Sequence, residues 1–287
     1  MLSPWLELPG AADQLAAWSQ ASGLDLVQLG TTATAEEITD TSITQPLVVA
    51  ATLLAYQEAT RRGLQTSAET VIAGHSVGEI AAYAIGGIIS ADDAVSLAAT
   101  RGREMAKACA VERTGMSAVL GGDEAEVLAR LEDLELFPAN RNAAGQIVAA
   151  GRLDALEKLA ENPPEKARVH ALATAGAFHT HFMSSALDAY AAAADAVATA
   201  EPTATVLSNA DGQPVTSASD AMTKLVAQLT RPVRWDLCTE TLRQRGAAAI
   251  VEFPPAGALA GIAKRELRGT PTHAVKEPED LDGLAGL

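Results

Sequence analysis

The alternation of apolar and polar positions along the chain predicts a series of helices separated by a few buried strands. Apolar residues recur at helical spacing in several long stretches. These stretches predict helices over 11–19, 45–62, 77–84, 91–108, 180–200, 220–229, 236–245 and 258–266. Short apolar runs at 70–73 and 248–253 are typical of strands that are buried on both faces, as in a parallel sheet. The pattern therefore predicts an α/β fold.

The stretch 115–172 follows a different pattern. Its predicted elements are, in order, strand 116–120, helix 124–132, strands near 134–139 and 146–150, helix 153–161 and strand 167–172. This is the ferredoxin-like order. Because the stretch lies between the segments that carry Ser76 and His179, discussed below, we expect a ferredoxin-like subdomain inserted into a large α/β-hydrolase-like domain with a parallel sheet. The large domain then comprises 1–114 and 173–287, and the junction predicts a cleft.

The composition indicates a globular and acidic chain of 287 residues. Hydrophobic residues make up 48% and charged residues 20%, which suffices for a substantial core. A formal net charge of -15 disfavours nucleic acid and anionic membranes as partners. The two cysteines, Cys109 and Cys238, are far apart, and the amino terminus lacks the features of a signal peptide. Because no apolar run reaches membrane-spanning length either, we expect a protein of the cytoplasm.

The segment 74–78, Gly-His-Ser-Val-Gly, fits the nucleophile elbow, in which a serine stands on a tight turn between a strand and a helix. A β-branched run precedes the segment and helix-forming residues follow it, as an elbow requires. Ser76 is then the candidate nucleophile. The N–H of Val77, at the start of the helix, is a candidate oxyanion donor. The alternative is an ordinary glycine turn in which Ser76 only caps the helix.

A serine nucleophile needs a base, and the chain has five histidines. His75 adjoins the nucleophile in the turn and is better placed to shape the pocket. His170 lies within a predicted strand and His273 near the carboxyl terminus, which leaves His179 and His181 as candidate bases. The His-x-His spacing of these two also suits a metal ion, but no third ligand cluster stands nearby, so the sequence predicts no metal site.

Further motifs stand along the chain in a recognisable order. They are 44–46 (Thr-Gln-Pro), 74–79, 101–102 (Arg-Gly), 140–148, 176–179 (Gly-Ala-Phe-His), Gln228 and 232–235 (Pro-Val-Arg-Trp). In this order and spacing they resemble the malonyl-CoA:acyl carrier protein transacylases and the related acyltransferase domains of polyketide synthases. The resemblance covers nearly the whole chain and is far more specific than the elbow motif alone.

The resemblance implies a two-step exchange through a covalent intermediate. Ser76 is expected to attack the malonyl thioester, while His179 accepts its proton and later protonates the departing coenzyme A thiolate. Gln228 is expected to support the histidine, since in the family a backbone carbonyl near that position replaces the aspartate of a hydrolase triad. The implied partners are malonyl-CoA and acyl carrier protein, with no metal or redox cofactor.

The same resemblance implies how the substrate is chosen. Arg101 is expected to pair its guanidinium with the free carboxylate of malonate, and Gly102 to allow close approach of neighbouring backbone. Phe178 stands where the family has an aromatic residue with malonyl and a smaller one with methylmalonyl, which favours malonyl. The remaining residues expected at the substrate site are His75, Val77, Asn142 and Gln45. For Asn142 the alternative is a turn asparagine.

One departure from the family concerns the amino terminus. Relatives usually begin with a short strand leading into a Pro-Gly-Gln-Gly segment, whose glutamine helps to form the oxyanion hole, but residues 8–11 contain no glutamine. The resemblance therefore implies that this chain lacks a strand and an oxyanion donor, and the loss of one such donor typically costs about 2.7 to 4 kcal/mol. We expect a natural protein that starts earlier, with a weakly active or non-catalytic copy as the alternative.

Two other functions stay open at this point. A serine esterase or thioesterase would use the same elbow, but the HGGG-type loop of a typical α/β-hydrolase is missing from the sequence. A non-enzymatic module that binds a carrier protein is the second alternative, and it depends only on the missing amino-terminal segment.

Overall fold

The computed structural model describes residues 1–284. Its α-helices are α1 (Ala11–Ser22), α2 (Leu26–Thr31), α3 (Thr41–Arg61), α4 (Gly78–Ile85), α5 (Ala91–Cys109), α6 (Glu124–Asp133), α7 (Leu153–Glu161), α8 (Leu187–Asp195), α9 (Ala218–Ala227), α10 (Trp235–Gln244) and α11 (Ala258–Glu266). Its strands are β1 (Val71–Ile72), β2 (Thr114–Gly121), β3 (Phe137–Ala143), β4 (Gln146–Arg152), β5 (Ala167–Ala171), β6 (Thr205–Val206), β7 (Val233–Arg234), β8 (Ile250–Glu252) and β9 (Thr272–Ala274). Short 3₁₀ helices lie at Ser3–Glu7, Glu37–Thr39, His181–Ala186, Gln228–Thr230 and Pro278–Leu284.

The predicted α/β class is confirmed, and most helix bounds agree with the sequence pattern to within a few residues. The single helix predicted over 180–200 is wrong, because the 3₁₀ helix His181–Ala186 precedes α8, which ends early. At the start of this stretch the Thr180 hydroxyl accepts a hydrogen bond from the N–H of Phe182 (3.3 Å). At its end the N–H of Ala200 bonds to a carbonyl in the loop after α4 (2.9 Å). These competing hydrogen bonds draw both ends of the stretch out of the α-helix.

The inserted stretch forms most of a five-stranded sheet with the strand order β5-β2-β4-β3-β7. Its own four strands pair antiparallel and, numbered within the insertion, stand in the order 4-1-3-2 of a ferredoxin-like subdomain. The fifth strand, β7, comes from the later part of the chain and pairs in parallel with β3, with Asn140 opposite Val233. One sheet therefore spans both parts, and the exact division at 114/115 and 172/173 stays a prediction.

The parallel strands predicted for the large domain are present as short pairs. β1 pairs with β6 and β8 pairs with β9, each in parallel. The sequence pattern does not predict β6, β7 or β9, because two or three residues are too few to show a period. Val71 and Ile72 are half-buried, not buried on both faces as expected, since a cleft of about 1240 Å³ lies along β1 and β8.

Helices α3 and α5 pack together at the centre of the large domain. A Cβ atom added to Gly102 on α5 would lie 2.5 Å from the carbonyl oxygen of Thr41 at the start of α3. The predicted close approach of backbone at Gly102 is therefore confirmed, and only glycine permits it. As a result the neighbouring Arg101 and the α3 residue Gln45 lie side by side in the core. Among the helices that the structure describes, none combines the length and apolar character needed to cross a membrane.

Candidate active site

The predicted elbow connects β1 to α4. Ser76 has a φ of 54°, in the left-handed region, which costs an ordinary residue about 1 kcal/mol or more. A Cβ on Gly74 would lie 1.9 Å from the carbonyl oxygen of Gly78, whereas a Cβ on Gly78 would meet nothing within 4 Å. The turn thus requires the first glycine of the motif for steric reasons and does not require the second.

The hydroxyl of Ser76 faces the imidazole of His179, with 2.7 Å between Oγ and Nε2. On the other side of the ring, Nδ1 lies 2.8 Å from the backbone carbonyl oxygen of Gln228. Because a carbonyl only accepts, Nδ1 carries the proton and Nε2 accepts from the serine hydroxyl. The helix-capping alternative for Ser76 is wrong, since Val77 is the N-cap residue of α4 and no side chain caps that helix.

His179 is held in an unusual backbone conformation and is 3% exposed. Its φ is 60°, so the nucleophile and the base both stand in the left-handed region. Burial and, to a smaller extent, the nearby positive charge of Arg101 lower the pKa of His179 to about 3, although the hydrogen bond to Gln228 acts in the opposite direction. The imidazole is therefore neutral at pH 7 and able to accept a proton.

Arg101 projects from α5 into the same site and is 1% exposed. Its Nη1 donates to the side-chain oxygen of Gln45 (2.7 Å), and its Nη2 to the side-chain oxygen of Gln228 (2.8 Å). Nη2 also lies 3.4 Å from Oγ of Ser76. Nε has no hydrogen-bond partner within residues 1–284. Burial lowers the pKa of the guanidinium. Its side-chain acceptors within residues 1–284 are two neutral amides and the serine hydroxyl, so a buried cation faces the nucleophile with no carboxylate bonded to it there.

Two residues missed by the sequence analysis, Glu79 and Asn209, support the elbow from behind. The side chain of Asn209 accepts from the N–H of Ser76 and donates to the carbonyl of Gly74, each at 2.8 Å. Glu79 is fully buried and accepts from the N–H of Asn209 (2.6 Å) and from the side-chain amide of Gln228. Burial raises the pKa of Glu79 to about 7, although its hydrogen bonds act in the opposite direction. An acid within an otherwise apolar run is a sequence signal for Glu79, whereas Asn209 has none.

The structure also places the other predicted substrate-site residues. His75 lies beside Asn142, with 2.9 Å between Nε2 and Oδ1, and its ring contacts Trp235 edge-on. Burial lowers the pKa of His75. The Val77 N–H has no acceptor among the described residues and is available at the start of α4. Phe178, just before the base, is half-buried between the cores of the two parts of the chain.

The second candidate base, His181, does not belong to this group. It is exposed and stacks with the aromatic rings of Phe137 and Phe182. Of the five histidines, the one that contacts the Ser76 hydroxyl is therefore His179. No cluster of three or more His, Cys, Asp or Glu side chains suited to a metal ion occurs within residues 1–284.

The geometry supports covalent acyl transfer. A nucleophile, a neutral base and a backbone N–H at a helix start stand together, which is the set needed to form and break a tetrahedral intermediate. A carbonyl oxygen replaces the carboxylate of a hydrolase triad. The unpaired guanidinium adds a site for an anionic group on the acyl chain.

Comparison with known proteins gives one consistent result. The family model described as "Acyl transferase domain" matches residues 11–278. The chain is 79% identical over 291 aligned residues to a protein of Mycolicibacterium smegmatis named malonyl CoA-acyl carrier protein transacylase, with 100% of both chains covered.

Solved structures are similar over almost the full chain. The crystal structure of MCAT from Mycobacterium tuberculosis has a TM-score of 0.96 and 72% identity, covering 99% of this chain and 94% of that one. A type II PKS acyl-carrier protein in complex with its malonyl-transacylase includes a chain with a TM-score of 0.91 and 27% identity, covering 98% of this chain and 93% of that one.

Proposed function

The chain belongs to the family that carries the acyl transferase domain, and we propose that Ser76, His179 and Arg101 carry out its activity. That activity is the transfer of a malonyl group from malonyl-CoA to the phosphopantetheine thiol of acyl carrier protein. The observation that carries the assignment is the position of Arg101, a buried guanidinium that bonds to no carboxylate among the described residues and lies 3.4 Å from the serine hydroxyl.

In the first half-reaction, Oγ of Ser76 attacks the thioester carbonyl carbon while Nε2 of His179 takes the hydroxyl proton. The N–H of Val77 donates to the oxyanion of the tetrahedral intermediate. When the carbon–sulfur bond breaks, the coenzyme A thiolate takes the proton from His179. The malonyl group is then an ester of Ser76.

The second half-reaction reverses these steps with a different thiol. The carrier-protein thiol gives its proton to His179 and attacks the ester carbonyl carbon. Collapse of this second intermediate breaks the bond to Oγ, which takes the proton back from His179. The thiol and the ester exchange places without a change of oxidation state, so no metal or redox cofactor is needed.

The malonyl carboxylate serves binding and catalysis together. Paired with Arg101, it is retained in a water-poor site where an acetyl group offers no acceptor. It also offsets the positive charge that lowers the pKa of His179. A bound malonyl group therefore makes His179 a stronger base than it is in the empty site.

A cytoplasmic location is part of the proposal. Both Cys109 and Cys238 are free thiols, as expected in a reducing compartment.

Malonyl loading in the absence of acyl carrier protein tests the mechanism. The wild-type protein mixed with radiolabelled malonyl-CoA is expected to gain one malonyl group, visible by intact-mass spectrometry and as protein-bound label. Ser76→Ala is expected to gain none, while Ser96→Ala, a serine on the helix α5, should load like the wild type. Full loading of Ser76→Ala contradicts the mechanism, and steady release of free malonate by the wild type indicates a hydrolase.

A further inference from the structure

A carboxylate lies fully buried behind the catalytic residues without contacting the reacting atoms. Glu79 stands in the first turn of α4 and is 0% exposed. Its hydrogen-bond donors are the backbone N–H of Asn209 (2.6 Å) and the side-chain amide of Gln228. Burial of a carboxylate is costly, and the amide of Gln228 separates Glu79 from the nearby cation Arg101. The site therefore contains a carboxylate whose burial is energetically unfavourable and whose role the transfer mechanism does not explain.

The first connection from Glu79 leads to the nucleophile through Asn209. Its N–H donates to Glu79, and its side chain accepts from the N–H of Ser76 and donates to the carbonyl of Gly74, each at 2.8 Å. Asn209 therefore forms hydrogen bonds to the backbone at both Gly74 and Ser76, and these bonds stabilise the turn in which Ser76 has a left-handed conformation. Glu79 fixes the backbone of the residue that holds this turn.

The second connection leads to the base and the guanidinium through Gln228. A side-chain amide has one accepting end and one donating end, and either can point in a given direction. Both carboxyl oxygens of Glu79 accept, one from the N–H of Asn209 and one from the side-chain NH₂ group of Gln228. The ionised form, which predominates above its raised pKa of about 7, can only accept, so it holds this NH₂ group toward itself. The same NH₂ group also lies 3.2 Å from the carbonyl oxygen of Ser76 and from Oδ1 of Asn209. The amide oxygen must then point to Nη2 of Arg101, at 2.8 Å. The backbone carbonyl of the same residue accepts from Nδ1 of His179.

We propose that Glu79 is a positioning residue of the transferase: by acting only as an acceptor, it fixes the side-chain amide of Gln228 toward Arg101 and, through Asn209, holds the turn that presents Ser76. The inference rests on the proposed function, because its readout is the rate at which Ser76 is loaded with malonyl. Glu79 acts through its neighbours and does not contact the substrate.

The variant Glu79→Gln keeps the shape of the side chain and adds a donor. The introduced amide keeps its oxygen toward the N–H of Asn209, so its NH₂ group faces Gln228. Gln228 then turns its oxygen toward position 79 and its own NH₂ group toward Arg101, where two donors would face each other. We expect roughly ten- to a hundred-fold slower malonyl loading of Ser76, the range for loss of one hydrogen bond to a charged group. The ratio of malonyl to acetyl loading should also fall, because Arg101 is displaced.

A conservative variant separates this role from a general effect on folding. Glu79→Asp keeps a carboxylate, which only accepts when ionised, and brings no NH₂ group to Gln228. Malonyl loading and the malonyl-to-acetyl ratio are expected to stay within about ten-fold of the wild type. The matched control is Glu252→Gln, a buried glutamate that accepts from the N–H groups of Gly257, Leu259 and Ala260.

The control is expected to lower the urea midpoint without changing the malonyl-to-acetyl ratio. Loading of Glu79→Gln at the wild-type rate, an unchanged ratio, or a Glu79→Asp variant that loads no faster than Glu79→Gln overturns the proposal. If Glu79→Gln does not fold, Glu79→Asp decides: folded and loading within about ten-fold of the wild type supports the proposal, and unfolded or inactive overturns it. A wild-type protein that takes up no malonyl overturns the proposed function itself.

Discussion

Replacing Arg101 with alanine tests whether one buried side chain selects the malonyl group. Its Nη1 and Nη2 donate to the side-chain oxygens of Gln45 and Gln228, and Nε has no partner among the described residues. A malonyl carboxylate near Ser76 would accept from the donors that face the nucleophile. An acetyl group presents only a methyl group there. The variant should therefore affect the two substrates very differently.

The size of the effect follows from the burial of Arg101. Hydrogen bonds to charged groups contribute about 1.5 to 3 kcal/mol each, and leaving one member of a buried ion pair alone costs about 3 to 5 kcal/mol. Part of the loss is common to both substrates, because the oxygens of Gln45 and Gln228 lose their donor whichever acyl group is bound. The malonyl-specific part is then about 2 to 4 kcal/mol, or roughly a hundred-fold in kcat/KM.

The acetyl reaction is expected to change by less than about ten-fold. Its substrate loses no contact with the guanidinium, and the variant no longer holds an unpaired cation beside a neutral acyl group. Initial rates of coenzyme A release are measured with malonyl-CoA and with acetyl-CoA, at a fixed concentration of acyl carrier protein. Their ratio is the readout.

Arg103→Ala is the matched control on the same helix. Its side chain is 52% exposed and hydrogen-bonds to Glu104 and Thr100, so both rates should stay within about two-fold of the wild type. An equal loss with both substrates in Arg101→Ala would show that the guanidinium supports the site without choosing the acyl group. The same loss in Arg103→Ala would show that the effect does not come from the buried position.

Two further predictions concern the elbow and the base. Gly74→Ala should lower the free energy of unfolding in urea by about 2 kcal/mol or more, because its Cβ would overlap the carbonyl of Gly78. Gly78→Ala should be neutral or stabilising by up to about 1 kcal/mol, since its Cβ meets nothing and alanine favours helix; equal losses in the two variants would contradict the steric account. The unfolded chain binds a proton at His179 below about pH 6.5 and the folded chain only near pH 3. The wild type should therefore lose stability relative to His179→Gln as the pH falls through this window, by at most about 1.4 kcal/mol per pH unit. A difference between their urea midpoints that does not change with pH would contradict the lowered pKa of His179. The raised pKa of Glu79 makes stability change with pH in the opposite direction, but this contribution is common to both proteins.

The sequence predicts the elements with a long or repeated pattern. Helices α7 and α11 and the order of the inserted subdomain follow from apolar spacing, because each buries one face against a sheet or a neighbouring helix. Ser76 is predictable because the elbow is local, with its strand, turn and helix within a short segment. The short strands β6, β7 and β9 are not, since their positions depend on partners elsewhere in the chain.

The rest of the site depends on contacts between distant residues. His179 is 103 residues from Ser76 and Gln228 is 49 residues further on, so no local spacing singles them out. An arginine within a helix is ordinarily solvated, so the family resemblance implies the role of Arg101 and its surroundings in the sequence do not. Its burial has a physical cause in the structure, namely the close approach of α3 and α5 that Gly102 permits.

The position of Gln228 links the base to the selection of the acyl group. Its backbone carbonyl fixes the proton on Nδ1 of His179, while its side-chain oxygen holds Nη2 of Arg101. A malonyl carboxylate that binds Arg101 therefore pairs with a guanidinium that is hydrogen-bonded to Gln228, the same residue that holds His179. It also offsets the charge that weakens the base. Selection of malonyl and activation of Ser76 are thus coupled through shared contacts, and a substrate without a carboxylate loses both binding and base strength.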